Sequence, residues 1–177
     1  NGDGFDDLIV GAYGADPKGA DSGASYVVFG KANTTAVNLS DVKSGTGGFV
    51  INGVTGKLGL GGMGTDSDQS GISVSNAGDM NGDGLSDLLV SAMTGDPAGK
   101  NNAGASYVVY GKTTGTAIDL SAVTAGTGGF VINGQGAVEY SGFSVSSAGD
   151  VNGDGLADLI VGAPTSDPAA VTSAGRS

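Results

Sequence analysis

Short apolar runs, each stopped by glycine, aspartate or asparagine, set the rhythm of this chain. Ser70–Ala77 alternates Ile72 and Val74 against Ser73 and Ser75, the period of two that marks a strand with one buried face. Asp87–Ala92 is a nearly continuous apolar run, as expected of a strand covered on both faces. Gly104–Tyr110 is β-branched and aromatic, and Phe130–Asn133 is a short strand. No window of useful length carries a 3.6-residue period. The pattern therefore predicts an all-β chain.

The pattern also repeats. "NGDGFDDLIVGAYGADP" from Asn1 returns as "NGDGLSDLLVSAMTGDP" from Asn81 and "NGDGLADLIVGAPTSDP" from Asn152. "GASYVVFGK" from Gly23 returns from Gly104, "GTGGFVING" from Gly45 returns from Gly126, and "SGISVSNAGD" from Ser70 returns from Ser141. Three units follow: 1–80, 81–151, and a partial third at 152–177, about two and a quarter repeats in all. Most of the difference between the two longer units lies in one loop, Val54–Gln69 against Gln135–Tyr140, which marks Val54–Gln69 as the candidate variable loop.

Four antiparallel strands per unit cannot bury both faces alone, whereas successive sheets stacked face to face can. Radial stacking gives a β-propeller, and the small residues of Ser70–Gly78 suit its crowded innermost position. The strands run as three, then four, then two, a partial propeller that cannot close a ring. The chain opens inside a motif, so it is expected to be a piece of something longer. Its remaining blades would then come from the parent chain or from other subunits.

Composition narrows the chemistry. The net charge is −11 and Glu139 is the only glutamate, so nearly all the acid is aspartate, a turn former and a hard oxygen ligand. Seven scattered basic residues make nucleic acid an unsuitable partner. Cysteine, histidine and tryptophan are absent, which removes Cys/His metal sites, disulfides and His-dependent nucleophilic triads. No apolar run approaches the ~20 residues of a membrane span.

The aspartates fall in register. Counting from Asp79, positions 1, 3, 5, 7 and 9 are Asp79, Asn81, Asp83, Leu85 and Asp87. Alternate residues point into one concavity, with Leu85 offering a carbonyl, and Gly82 and Gly84 let the chain curl. Carboxylate, amide and carbonyl oxygens in that arrangement suit Ca²⁺ better than Mg²⁺. Asp150, Asn152, Asp154, Leu156 and Asp158 repeat the set. Asn1, Asp3, Phe5 and Asp7 repeat it without position 1, which predicts weak binding or none. Position 12 is valine in all three copies (Val10, Val90, Val161), where an EF-hand needs a glutamate. A metal-free polar turn is the competing reading, since Asn-Gly and Asp-Gly are common hairpin signals.

"SGFSVSSAGDVNGDGLADLIVGAP", Ser141–Pro164, resembles the FG-GAP repeat of integrin α chains and of many bacterial surface proteins. The Phe-Gly pair is reversed as Gly142-Phe143, and "GAP" is intact only at Gly162–Pro164. The regular "GTGGFVING" segments are more similar to the long secreted bacterial members than to animal receptors. The resemblance implies a seven-bladed propeller in the parent protein, with a calcium loop joining the first and second strands of each blade. It implies an extracellular or cell-surface, non-enzymatic adhesion or interaction module that meets a protein or glycan ligand. Two alternatives stay open: a propeller module attached to a secreted hydrolase, and a structural repeat assembling into a coat or filament.

Overall fold

A computed structural model describes residues 1–54, 67–167 and 175–177. Three sheets follow one another along the chain. In the first, β1 (Leu8–Ala12), β2 (Ala24–Val28) and β3 (Gly48–Asn52) form an antiparallel meander. In the second, β4 (Val74–Gly78), β5 (Asp87–Ala92), β6 (Ala105–Val109) and β8 (Gly129–Asn133) complete a four-stranded antiparallel blade. In the third, β9 (Ser144–Gly149) pairs only with β10 (Asp158–Gly162). The chain is thus all-β, built as a partial propeller, and the expected order of three, four and two strands holds within the repeats. The blades straddle the unit boundaries at 80 and 151, because β4 and β9 precede those boundaries yet pair with strands that follow them.

Two apolar layers join the sheets. Val27, Phe49 and Ile51 of the first blade meet Val90, Tyr107, Val109, Leu120 and Val123 of the second. On the other side of the second blade, Ala77, Leu89 and Val108 meet Val145, with Leu159 and Val161 beside them. Leu89 and Val90 are both fully buried on opposite faces of β5, which is why that strand reads as an unbroken apolar run.

Besides a 3-10 turn at Pro97–Gly99, three elements escaped the pattern. Single-turn helices α1 (Leu39–Lys43) and α2 (Leu120–Thr124) stand before β3 and β8. At five residues each they are too short to display a helical period, and the only trace is the spacing of Leu120 and Val123, both buried. The third is β7 (Ile118–Asp119), which leaves the second repeat and pairs in parallel with β3 of the first blade, Ile51 opposite Ile118 and Asn52 opposite Asp119. Asp119 accepts hydrogen bonds from Lys18 Nζ and Asn52 Nδ2, each at 2.8 Å. A strand from one repeat therefore clasps the outer edge of the blade before it.

Backbone contact closes the inner side. Ser70 N donates to Ser22 O, and Ser141 N donates to Ala103 O. Gly23 and Gly104 permit this approach: φ is +81° at Gly104, and a Cβ there would lie 2.1 Å from Ser141 O.

Three outcomes are expected. Gly104→Ala costs about 2–4 kcal/mol in urea unfolding, from overpacking and the left-handed backbone together. Gly128→Ala has a similar φ but no neighbour within 4 Å, and costs only about 1 kcal/mol. Asp119→Asn lowers stability at neutral pH by up to about 1 kcal/mol, as for an exposed pair. Its partners, Lys18 first and then Asn52, hold the Asp119 carboxyl below its ordinary value of 3.8. The wild-type advantage is therefore present above pH 3.8 and disappears as the pH falls through the folded-state pKa, which paired urea titrations across that range will read.

Candidate metal loops

The acidic segments are the connections between the first two strands of the second and third blades, 79–86 and 150–157. Their curl is held by side chain to backbone bonds. Asp79 Oδ1 accepts from Gly82 N (2.8 Å) and Asp83 N (3.1 Å), and Asp79 Oδ2 accepts from Gly84 N (2.9 Å). Asn81 Oδ1 accepts from Asp83 N, and Asp83 Oδ1 from Leu85 N. Asp150, Asn152 and Asp154 repeat every one of these bonds with Gly153, Asp154, Gly155 and Leu156. Gly82 and Gly84 both hold φ near +80°, where a side chain would be strained. In the first copy, Asn1 accepts from Asp3 N and Asp3 from Phe5 N, while the terminal ammonium bonds Asp7 at 2.8 Å.

Position 9 does something the others do not. Asp87 is fully buried; its Oδ2 accepts from Met80 N at 2.9 Å and its Oδ1 from Gly111 N at 2.8 Å. Gly111 follows β6, so this carboxylate ties the loop to the third strand of its blade. Asp7 repeats that tie with Gly30 N at 2.8 Å. Asp158 accepts from Val151 N at 2.8 Å, and Asn152 Nδ2 reaches its Oδ1 at 3.5 Å.

Burial pushes the Asp87 carboxyl up; the Gly111 and Met80 amides pull it down, and the charges of Asp83 and Asp79 push it further up. The Asp87 carboxylate therefore feels the charges of the two loop aspartates ahead of it. At Asp150 the amides of Gly155, Gly153 and Asp154 hold the carboxyl below its ordinary range. As the loops stand, their carboxylates turn onto backbone amides, and among the described residues no three acidic side chains gather tightly enough to enclose an ion. Leu85 and Leu156 remain at the loop ends, half-buried and exposed respectively.

Sequence reasoning placed Asp87 among equal ligands and missed its second role. The available signal was position: it is both the last loop residue and the first residue of a buried strand. The variable loop expected at Val54–Gln69 falls mostly on residues 55–66, outside those described. Among the described residues no helix is long and apolar enough to cross a membrane.

A family model described as "FG-GAP repeat" matches residues 1–28, 70–109 and 141–177. Each matched stretch contains one acidic loop or the part of it present. Integrin alpha pat-2 of Caenorhabditis briggsae is 31% identical over 183 residues, which cover 97% of this chain and 13% of that protein. Integrin alpha pat-2 of Caenorhabditis elegans is 41% identical over 101 residues, 57% of this chain and 8% of that protein. The chain thus spans a small fraction of the length of these relatives.

Removing the buried carboxylate strands two amides. Asp87→Ala is expected to cost about 2–4 kcal/mol, offset in part by relief of a buried charge. The equivalent Asp7→Ala, at an exposed position, is expected to cost less than half as much. Chemical denaturation of both variants in the same metal-free buffer checks the order.

Proposed function

The chain belongs to the FG-GAP repeat family, and from that premise we propose that it is a calcium-stabilised propeller segment of an extracellular adhesion or interaction protein, without catalysis of its own. One observation supports the metal part of this reading: the loop gathers oxygen donors of Asp79, Asn81 and Asp83 next to the buried Asp87 carboxylate, on which the charges of Asp83 and Asp79 act. A bound divalent ion would offset the negative charge gathered in the loop. Asp79, Asn81, Asp83, Asp87 and the Leu85 carbonyl would hold it in the second blade. Asp150, Asn152, Asp154, Asp158 and the Leu156 carbonyl would hold it in the third, and the shorter set Asn1, Asp3, Phe5 and Asp7 would bind weakly.

The donor chemistry is compatible with the loop bonds. A carboxylate oxygen has two lone pairs, and Asp79 Oδ2 accepts one amide while Asp83 Oδ2 accepts only from Asn81 Nδ2. All donors are oxygens, which selects a hard cation over zinc or copper. The amide curl fixes the backbone before the ion arrives, so little ordering cost remains for binding.

The wider reading rests on similarity to integrin α chains and on the chain's own residues. Without histidine or cysteine the usual nucleophile and acid–base pairs are missing, and the aspartates that recur are committed to the loops. Surface placement follows from the family and from a fold steadied by an ion abundant outside cells. The ligand is sought among cell-surface proteins and glycans.

Thermal unfolding in EDTA and in excess Ca²⁺ tests the metal. Each occupied site is expected to add about 2.7 kcal/mol at a hundredfold excess over Kd, visible as a higher Tm. Asp83→Ala should remove about half of the gain by disabling one of two intact loops. A transition that stays in place when EDTA replaces Ca²⁺ would end the calcium reading.

A further inference from the structure

Two asparagines of the acidic loops stand where the chain can modify itself. We propose that Asn81 and Asn152 are sites of spontaneous conversion to aspartate and isoaspartate, and that the aspartate at the head of each loop, Asp79 or Asp150, sets the rate. The inference goes beyond the proposed function and needs no metal.

The reaction needs only the chain and water. Asparagine is a labile side chain, most of all before glycine, which puts no side chain in the way of ring closure. The glycine nitrogen gives up its proton to water and attacks Cγ of the asparagine. A C–N bond forms, and Nδ2 leaves as ammonia. Water then opens the five-membered succinimide at either carbonyl. One opening gives aspartate. The other gives isoaspartate, in which the main chain runs through the former side chain. Nothing is oxidised or reduced, and water is the co-reactant.

After the opening Asn1-Gly2, the Asn-Gly pair occurs four times, at Asn52, Asn81, Asn133 and Asn152. The fold divides these four into two kinds. Asn52-Gly53 and Asn133-Gly134 stand at the ends of β3 and β8, and both glycines are buried. Gly53 N donates to Gly23 O at 2.9 Å, and Gly134 N to Gly104 O at 2.8 Å. A Cβ on either glycine would collide with Ser22 O or Ala103 O, so backbone walls in the attacking nitrogen. Asn81-Gly82 and Asn152-Gly153 are exposed at both residues. Around Gly82 and Gly153 nothing beyond their chain neighbours lies within 4 Å of where a Cβ would stand. Of the four pairs, the two in the loops have room to close the ring.

One carboxylate per loop holds the reaction back. The attacking nitrogen of Gly82 donates to Asp79 Oδ1 at 2.8 Å, and that of Gly153 to Asp150 Oδ1 at 2.7 Å. An N–H bonded to a carboxylate keeps its proton. The electrophile is held as well: Asn81 Oδ1 accepts from Asp83 N at 2.9 Å, and Asn152 Oδ1 from Asp154 N at 2.8 Å. That bond must break before Cγ turns back onto the next residue. These bonds lie within one short exposed turn, so they open locally while the blade stays folded. The product alters the loop. Aspartate at 81 adds a charge beside Asp79 and Asp83, and isoaspartate lengthens the main chain and shifts the alternation that aligns the oxygens. The loop thus records how long it has stood open.

Peptide mapping by mass spectrometry tests this on the whole 177-residue chain, kept warm in mildly alkaline EDTA buffer made with heavy-oxygen water, which marks each hydrolysis. Asn81 and Asn152 are expected to convert, more slowly than in the urea-unfolded chain, while Asn52 and Asn133 stay amides. Asp79→Ala, which frees three amides from a charged acceptor, is expected to speed Asn81 about tenfold and leave Asn152 at its wild-type rate. Asp150→Ala should do the reverse, so each molecule carries its own control. A variant that unfolds reveals itself by converting Asn52 and Asn133 too. Asp79→Asn, which keeps one acceptor oxygen, then takes its place, with a smaller acceleration at Asn81 alone. Equal conversion at all four sites in the folded chain overturns the proposal. So does an Asn81 that stays intact while the unfolded chain converts, or an Asn81 rate indifferent to the residue at 79.

Discussion

A blade whose two faces are both apolar has no stable existence alone, and that constraint governs everything else in this chain. The second blade has neighbours on both sides and buries Leu89, Val90, Val108 and Val109 completely. The first and third blades each have one neighbour among the described residues, and most of the exposed large apolar residues lie on them: Phe5, Leu8 and Leu39 on one, Phe143 and Ile160 on the other. The contrast is starkest in "GFVIN", which occurs twice with the same five residues. Phe49 is buried in one copy and Phe130 exposed in the other. Local sequence forms the strand; the neighbour decides whether its surface is core.

The acidic loops are part of the same economy of contacts. Asp79 and Asp150 fold the hairpin around their carboxylates, which is local work done at an exposed turn. Asp87 works at longer range, since its second oxygen holds Gly111, 24 residues away. A buried carboxylate is a costly choice for a purely structural tie, even with two amide donors. An asparagine cannot replace it cleanly, because its amide nitrogen would face one of the two N–H groups. The acid at this position makes sense as a compromise between satisfying the blade and presenting charge to the loop.

Much of this was legible beforehand. The repeats, the strands and the loops could be read because each is encoded within a dozen residues: alternation in Ser70–Ala77, an apolar run after Asp87, Asn-Gly and Asp-Gly between them. The β3–β7 clasp could not be read. Ile118-Asp119 looks like a short extended linker, and its partner lies 67 residues earlier in another blade. Nothing local distinguishes it from Val37-Asn38, which has the same kind of sequence and stands exposed. The short helices were hidden because one turn gives no period. The coordinating register of the acids was legible as spacing. The amide network that curls them was not, because backbone donors leave no letter in the sequence.

That dependence on neighbours bears on how ion binding and folding are linked. The three position-9 aspartates share one motif, yet Asp7 is exposed, Asp158 half-buried and Asp87 fully buried. An ion at any loop acts through the hairpin that the adjoining blade presses into place. In a stack of repeats, stability is the sum of each unit's own term and the interfaces between neighbours. A loop at an end of the stack therefore gains less from its ion than the same loop in the middle, because less of the surrounding structure is already committed. The affinity of each loop is then a property of its place in the stack as much as of its residues. Identical motifs along one chain need not fill together.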